Sequence, residues 1–148
     1  MIWTEALPYF PRHELACKGS GVIKLDARFA AMFPALRQQW GRPLTPSSVC
    51  RTPEHNLKER GHPRSLHLTD NPVHATHGTA AADLIWRDWD TDTKLAFARL
   101  AYSMGFSVGL HDGFCHVDLR TVAGLNQAVF VYGTWAAPFQ AELIITGA

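Results

Sequence analysis

No apolar run in the chain approaches the roughly 20 residues that a membrane-crossing helix needs, so a membrane-spanning helix is not expected. Neither charge dominates: 14 Lys and Arg stand against 13 Asp and Glu, a net charge of +1, with no basic block. That composition leaves no electrostatic footprint for nucleic acid. Cysteine is scarce. Cys17, Cys50 and Cys115 are an odd number without a CxxC pair, which argues against both a disulfide framework and a zinc ribbon. All three are expected to pack as small buried hydrophobes. The stretch MIWTEALPYFPRHEL has Glu5 and two prolines where a signal peptide has a basic end and an apolar core. The chain is therefore expected to start in the cytoplasm and, if it acts outside, to need release by another component.

What is present is a globular composition, 47% hydrophobic and 18% charged. At 148 residues, roughly 70% of the unfolded-chain surface can be buried, and residues 1–148 are expected to form a single domain acting as a monomer, with no membrane or nucleic-acid partner. A helix is expected from Asp26 as its cap to Trp40, closed by Gly41, with Pro34 kinking or dividing it. Thr45 to Cys50 reads as extended. Thr52-Pro53 opens a short helix that Gly61 ends. A loop rich in His, Asn, Pro and Thr then runs to Gly78. Ala80 to Trp86 reads as a strand. Thr91 to Met104 reads as a helix with Phe97, Leu100, Ala101 and Met104 on one face and Gly105 as its stop. Ser107 to His111 and Phe114 to Leu119 form a hairpin about Asp112-Gly113. The tail, Ala128 to Trp135 and Ala141 to Ile145, reads as strand with no chemistry assigned. The fold class is α+β, a small, mostly antiparallel sheet flanked by helices.

The chemistry concentrates in two places. In FCHVDL, side chains alternate faces, so His116 and Asp118 share one and Cys115, Val117 and Leu119 share the other, the core face. By itself the polar pair fits a half-exposed sheet surface as well as a metal site. Asp83 is harder to place. It stands among Ala81, Ala82, Leu84, Ile85 and Trp86, where an unpaired buried carboxylate is very costly. A cation, strong donors, an arginine partner or an open strand face must compensate it. His67, in the loop before that strand, supplies an imidazole, and His with Asp is a donor set that suits zinc. Two His and one Asp leave a fourth position for water, the arrangement of a catalytic rather than a structural zinc.

These residues resemble the zinc peptidases of the M15 group, D-alanyl-D-alanine carboxypeptidases and related phage endolysins whose domain is similar to the hedgehog signalling domain. The signature runs SxH…GxAxD and then HxD. Here SLH at 65–67 precedes GTAAAD at 78–83, and HVD lies at 116–118. The likeness extends upstream through YFPRHELAC at 9–17, LRQQWGRPL at 36–44 and SSVCRTPEHN at 47–56, and covers the chain to about Arg120. The resemblance implies a Zn²⁺ held by His67, Asp83 and His116, with Asp118 orienting a ligand histidine. It implies hydrolysis of an amide in a peptidoglycan stem peptide, as in phage lysis. Arg51 would hold a substrate carboxylate, unless it pairs with Glu54 or Asp118, and Ser48 would add a hydrogen bond.

Two departures from the pattern stand out. Fifteen residues separate His67 from Asp83, more than the commoner family spacing, and the inserted loop brings His74 and His77 as alternative ligands. A Glu or Asp three positions before the last ligand is replaced by Gly113. That leaves His111 as first choice for proton transfer and Asp112 as the other, although its Asp-Gly context also suits a plain turn. The missing carboxylate keeps open a second reading, a zinc-holding module of the same fold that does not turn substrate over and serves cell-wall binding or phage assembly.

Overall fold

The computed structural model describes residues 2–72, 77–132 and 138–146. In chain order these form β1 (Ile2–Trp3), α1 (Arg12–Leu15), β2 (Leu25–Asp26), α2 (Ala27–Trp40), β3 (Pro46–Ser48), α3 (Pro53–Lys58), β4 (Ala81–Ile85), α4 (Thr91–Ser103), β5 (Ser107–Leu110), β6 (Phe114–Asp118), a 3₁₀ turn at Arg120–Ala123, β7 (Val129–Val131) and α5 (Pro138–Thr146). The architecture is α+β. Strands β1 and β2 form a small ribbon, and the main sheet has the order β3-β4-β6-β5-β7, antiparallel except for the β5–β7 pair.

The helices begin where the sequence supplies an acceptor. The Asp26 carboxylate accepts from the backbone N–H groups of Arg28 and Phe29, and Gly41 ends α2 at φ +75°. Asp90 does the same for α4 through Thr93 N, and Thr52 for α3 through His55 N. Phe29, Phe33 and Leu36 lie one turn apart on α2 and are fully buried. Phe33 stacks between Phe10 and Phe29 at ring-centroid distances of 4.2 and 5.0 Å. These rings, with Phe97 and Ala101 of α4, cover the sheet face formed by Ala82, Leu84, Val108, Leu110, Cys115 and Val117.

Three expectations change. Pro34 does not divide α2, which is one continuous helix; its missing N–H removes one intrahelical bond, and its ring is buried among the core side chains instead. Gly61 is not the left-handed residue that ends α3. Arg60 takes that conformation at φ 55°, and Gly61 follows, its N–H donating to Asn56 O at 2.9 Å. Gly61 is small for another reason: a Cβ there would fall 2.0 Å from Asn56 Oδ1 and 2.9 Å from Arg51 Nη1. Finally, 141–145 is helical, within α5, although β7 is the expected strand. Trp135 lies outside the described residues. The three cysteines are free and buried as expected, and Cys17 Sγ also accepts from Thr52 N at 3.4 Å, tying the chain to the start of α3.

The sheet's register positions the polar face. Ser48 pairs with Asp83, Asp83 with His116, His116 with Gly109, and Gly109 with Phe130. One transverse row therefore crosses all five strands, and residues in one row project from one face. The face opposite the core carries a carboxylate, an imidazole and, at the far edge, an aromatic ring.

Candidate metal centre

Asp83 and His116 are direct cross-strand partners, and Asp83 Oδ1 lies 2.9 Å from His116 Nδ1. His67 reaches the same oxygen from the loop before β4, with Nε2 at 3.3 Å. One donor atom from each of the three lies within 4.8 Å of the others. Backbone bonds on both sides hold His67 in place. Its carbonyl accepts from Arg51 N and from Thr79 Oγ1, and its ring Nδ1 lies 2.8 Å from Val49 O.

That last contact fixes the tautomer. A carbonyl only accepts, so Nδ1 carries the proton and Nε2 carries the lone pair. His67 Nε2 is buried and makes no hydrogen bond. Burial holds His67 below its ordinary pKa against the pull of Asp83, which keeps the ring neutral. A lone pair facing a carboxylate oxygen at 3.3 Å is repulsive unless a cation sits between them. Two imidazole nitrogens and a carboxylate oxygen converge there, a donor set that fits zinc once His116 Nδ1 gives up its proton.

Asp118 completes the polar face. His116 Nε2 lies 2.7 Å from Asp118 Oδ2, so Nε2–H is donated there and Nδ1 is the nitrogen directed at Asp83 and His67. Arg120 grips Asp118 from the other side, with Nη2 at 2.8 Å from Oδ2 and Nε at 3.1 Å from Oδ1. Burial works against charge on His116, but the hydrogen bonds that its ring donates to Asp118 and Asp83 outweigh it and push the pKa up to about 9. Burial likewise opposes the Asp83 charge, and the protonated His116, donating at 2.9 Å, overcomes it and holds Asp83 below the usual carboxylate range. In the metal-free protein a proton on His116 thus does part of what a cation would do.

Two cavities flank the three side chains. One, of about 290 Å³, is lined by Asp83, Ser47, Ser48, Arg51, Lys18 and His55 among others. The second, of about 600 Å³, is lined by His116, Asp118, Arg120, Phe130, Tyr132 and Arg64 among others. Ser48 and Arg51 therefore share a cavity with Asp83. Arg51 pairs with neither Glu54 nor Asp118 in the described ion pairs. Its Nη1 donates to Asn56 Oδ1 at 3.2 Å, and its Nε is buried without a partner.

The other sequence candidates lie further off. His111 follows β5 and faces Phe114 across the hairpin, its ring stacked on that of Phe114 at 4.5 Å. Phe114 is two residues before His116, which puts His111 about 7 Å along the sheet from the row of Asp83 and His116. Gly113 N donates to His111 Nδ1 at 2.9 Å, so the neutral ring carries its proton on Nε2. Asp112 is exposed at the hairpin tip, and its carbonyl, not its carboxylate, accepts from Lys94 Nζ. The place of the missing carboxylate is occupied: a Cβ on Gly113 would lie 2.9 Å from Arg87 Nη2. His77 is exposed and joined to Asp70 by a backbone bridge, away from the three converging donors; His74 lies outside the described residues.

The sequence reading assigned no role to Arg120, Phe130 or Tyr132. Arg120 stands two residues after Asp118, close enough to have been a candidate. The alternation in Val129-Phe130-Val131-Tyr132 marks a strand, but which face its rings take depends on the β5–β7 register.

Comparison with curated proteins and with solved structures gives no match. A family model described as Peptidase M15 matches residues 8–118, most of the chain and all three converging donors, and the chain belongs to the M15 metallopeptidases.

Proposed function

We propose that this protein is a zinc peptidase that hydrolyses an amide bond in peptidoglycan stem peptides, as carboxypeptidase or endopeptidase, in cell-wall degradation of the kind a phage or prophage lysis enzyme performs. The observation that carries the reading is the buried, unpaired His67 Nε2 aimed at Asp83 Oδ1 beside His116 Nδ1, in a chain of this family. Zinc bound there by His67, Asp83 and His116 would supply a Lewis acid that polarises a carbonyl and lowers the pKa of water to about 7. Asp118 keeps the His116 ring turned so that Nδ1 faces the centre. Arg51, unpaired at Nε and half-buried beside Asp83, holds a carboxylate of the peptide, and Ser48 adds a hydroxyl in the same cavity. Together they turn binding into orientation of the scissile amide. His111 holds a proton at Nε2 and serves as a donor to the charge that develops on the substrate. Taking a proton from water requires its Nδ1 to release Gly113 first.

A second reading, a zinc-holding module without turnover, is favoured by Gly113, whose Cβ position lies against Arg87. Mass spectrometry of muropeptides after digestion of purified peptidoglycan separates the two. The enzyme reading expects new fragments with zinc-loaded protein and none after chelation. Intact muropeptides at one equivalent of bound zinc would establish the module instead.

A further inference from the structure

The C-terminal segment builds a wall on the His116 side of the centre. Phe130 stands in the same transverse row as Asp83 and His116, with Gly109 between. A Cβ on Gly109 would fall 2.5 Å from Phe130 Cε2 and 2.8 Å from Tyr132 Cε2. Both rings therefore lie across the glycine, which brings the Phe130 centroid within 5.7 Å of the His116 ring. Tyr132 packs on Phe130 at 5.4 Å and keeps 37% of its surface exposed. The M15 match ends at Asp118, so this wall lies in the part of the chain that the family model does not reach.

The cavity beneath the wall is amphipathic. Leu66, Leu125 and Phe130 offer it carbon surface. Asp118, the one carboxylate among its described lining residues, is taken by His116 and Arg120, and the Arg120 guanidinium carbon lies over the Phe130 ring, 5.0 Å from its centroid. Arg64 remains at the rim, exposed and outside every described ion pair. Burial, reinforced by the Asp83 and Asp118 carboxylates, pushes Tyr132 up to about 12, so its hydroxyl stays a donor. Carbon surface beneath a cation and a phenol suits a chain of methylenes that ends in an anion.

We propose that this cavity is a substrate subsite for a peptide residue with an aliphatic side chain ending in a carboxylate, with Phe130 and Tyr132 contacting the methylenes and Arg64 the carboxylate. The subsite deepens the peptidase reading and rests on it. The probes are acetylated stem tetrapeptides that carry 2-aminopimelate, norleucine or alanine as the residue before the terminal D-alanine. Affinity for zinc-loaded full-length protein is read by calorimetry, and kcat and KM wherever a peptide is cut. Wild type should bind the 2-aminopimelate peptide about tenfold more tightly than the norleucine peptide, and the norleucine peptide more tightly than the alanine one. Arg64→Ala should erase the first difference alone. Tyr132→Ala should shrink both with zinc content unchanged, and Tyr132→Phe should keep the second. Equal affinity for the three peptides, no binding by any, or ratios untouched by Arg64→Ala and Tyr132→Ala would overturn the subsite. Discrimination without cleavage would uphold it and count against catalysis; cleavage without discrimination would do the reverse.

Discussion

Asp83 and His116 face each other across β4 and β6 with Oδ1 and Nδ1 2.9 Å apart, at the middle of a sheet whose other face is the core. The contact explains how a carboxylate survives between Ala82 and Leu84, both buried. Strand alternation turns Asp83 away from the core, and its partner strand supplies an imidazole at the same level. His67, pinned through Val49 and Thr79, closes the third side.

Arg120 would act on a bound metal through two intervening groups. Its fork fixes Asp118, and Asp118 fixes the His116 ring. Removing such a support typically costs about 10- to 100-fold in metal affinity. Arg120→Gln is expected at the lower end and Asp118→Asn at the upper, measured by competition with a chromophoric chelator. Affinities within twofold of wild type for both would show that the brace is idle.

Stability of the metal-free protein should peak near pH 6.5. His116 is raised from 6.5 to about 9, so its share is complete below about 6.5 and is lost as the pH rises through 9. His67 is depressed below 6.5, and its share is lost as the pH falls under that value. Asp83 and Asp118 are depressed below 3.8, which adds a further loss in acid. Zinc replaces the His116 proton, so loading should flatten the alkaline decline. Urea unfolding between pH 4 and pH 9, with chelator and with zinc, checks this. Identical curves for the two forms would refute it.

The two proton-transfer candidates should separate cleanly. His111 lies on the polar sheet face with its carbonyl held by Trp86 Nε1 at 2.6 Å, whereas Asp112 projects into solvent. His111→Ala is expected to lower kcat on stem peptides by about 10²- to 10⁴-fold, and Asp112→Asn to leave turnover near wild type. The reverse ranking would move the role to Asp112.

Gly109 matters through what it omits. Gly109→Ala places a methyl against Phe130 and Tyr132, and overpacking of this kind costs about 1–3 kcal/mol. Denaturant unfolding should show that loss together with altered near-ultraviolet dichroism from the displaced rings. Wild-type stability and an unchanged spectrum would mean that the rings do not rest over Gly109.

Much of the site was legible because strands alternate and turns have their own residues. HVD gave the shared face of His116 and Asp118, Asp112-Gly113 gave the hairpin, and the apolar frame of Asp83 required a compensating group. Register was not legible. Nothing local to Val129–Val131 says that it joins β5 in parallel, so neither the transverse row nor the aromatic wall could be foreseen. The helix α5 follows propensity that was read wrongly: Ala141, Glu142 and Leu143 are good helix formers and only Ile144 and Ile145 are β-branched, with Ile144 buried where α5 packs on α4. Gly61 was misread because its role is close packing on Asn56 and Arg51, which no turn rule encodes.

The most direct test is the metal content of the purified protein, measured by elemental analysis on wild type, His67→Ala, Asp83→Ala, His116→Ala and His77→Ala. About one equivalent of zinc in wild type and His77→Ala, with near-complete loss in the other three, is the expected result. A wild type without stoichiometric metal, or full zinc in Asp83→Ala, would contradict the account.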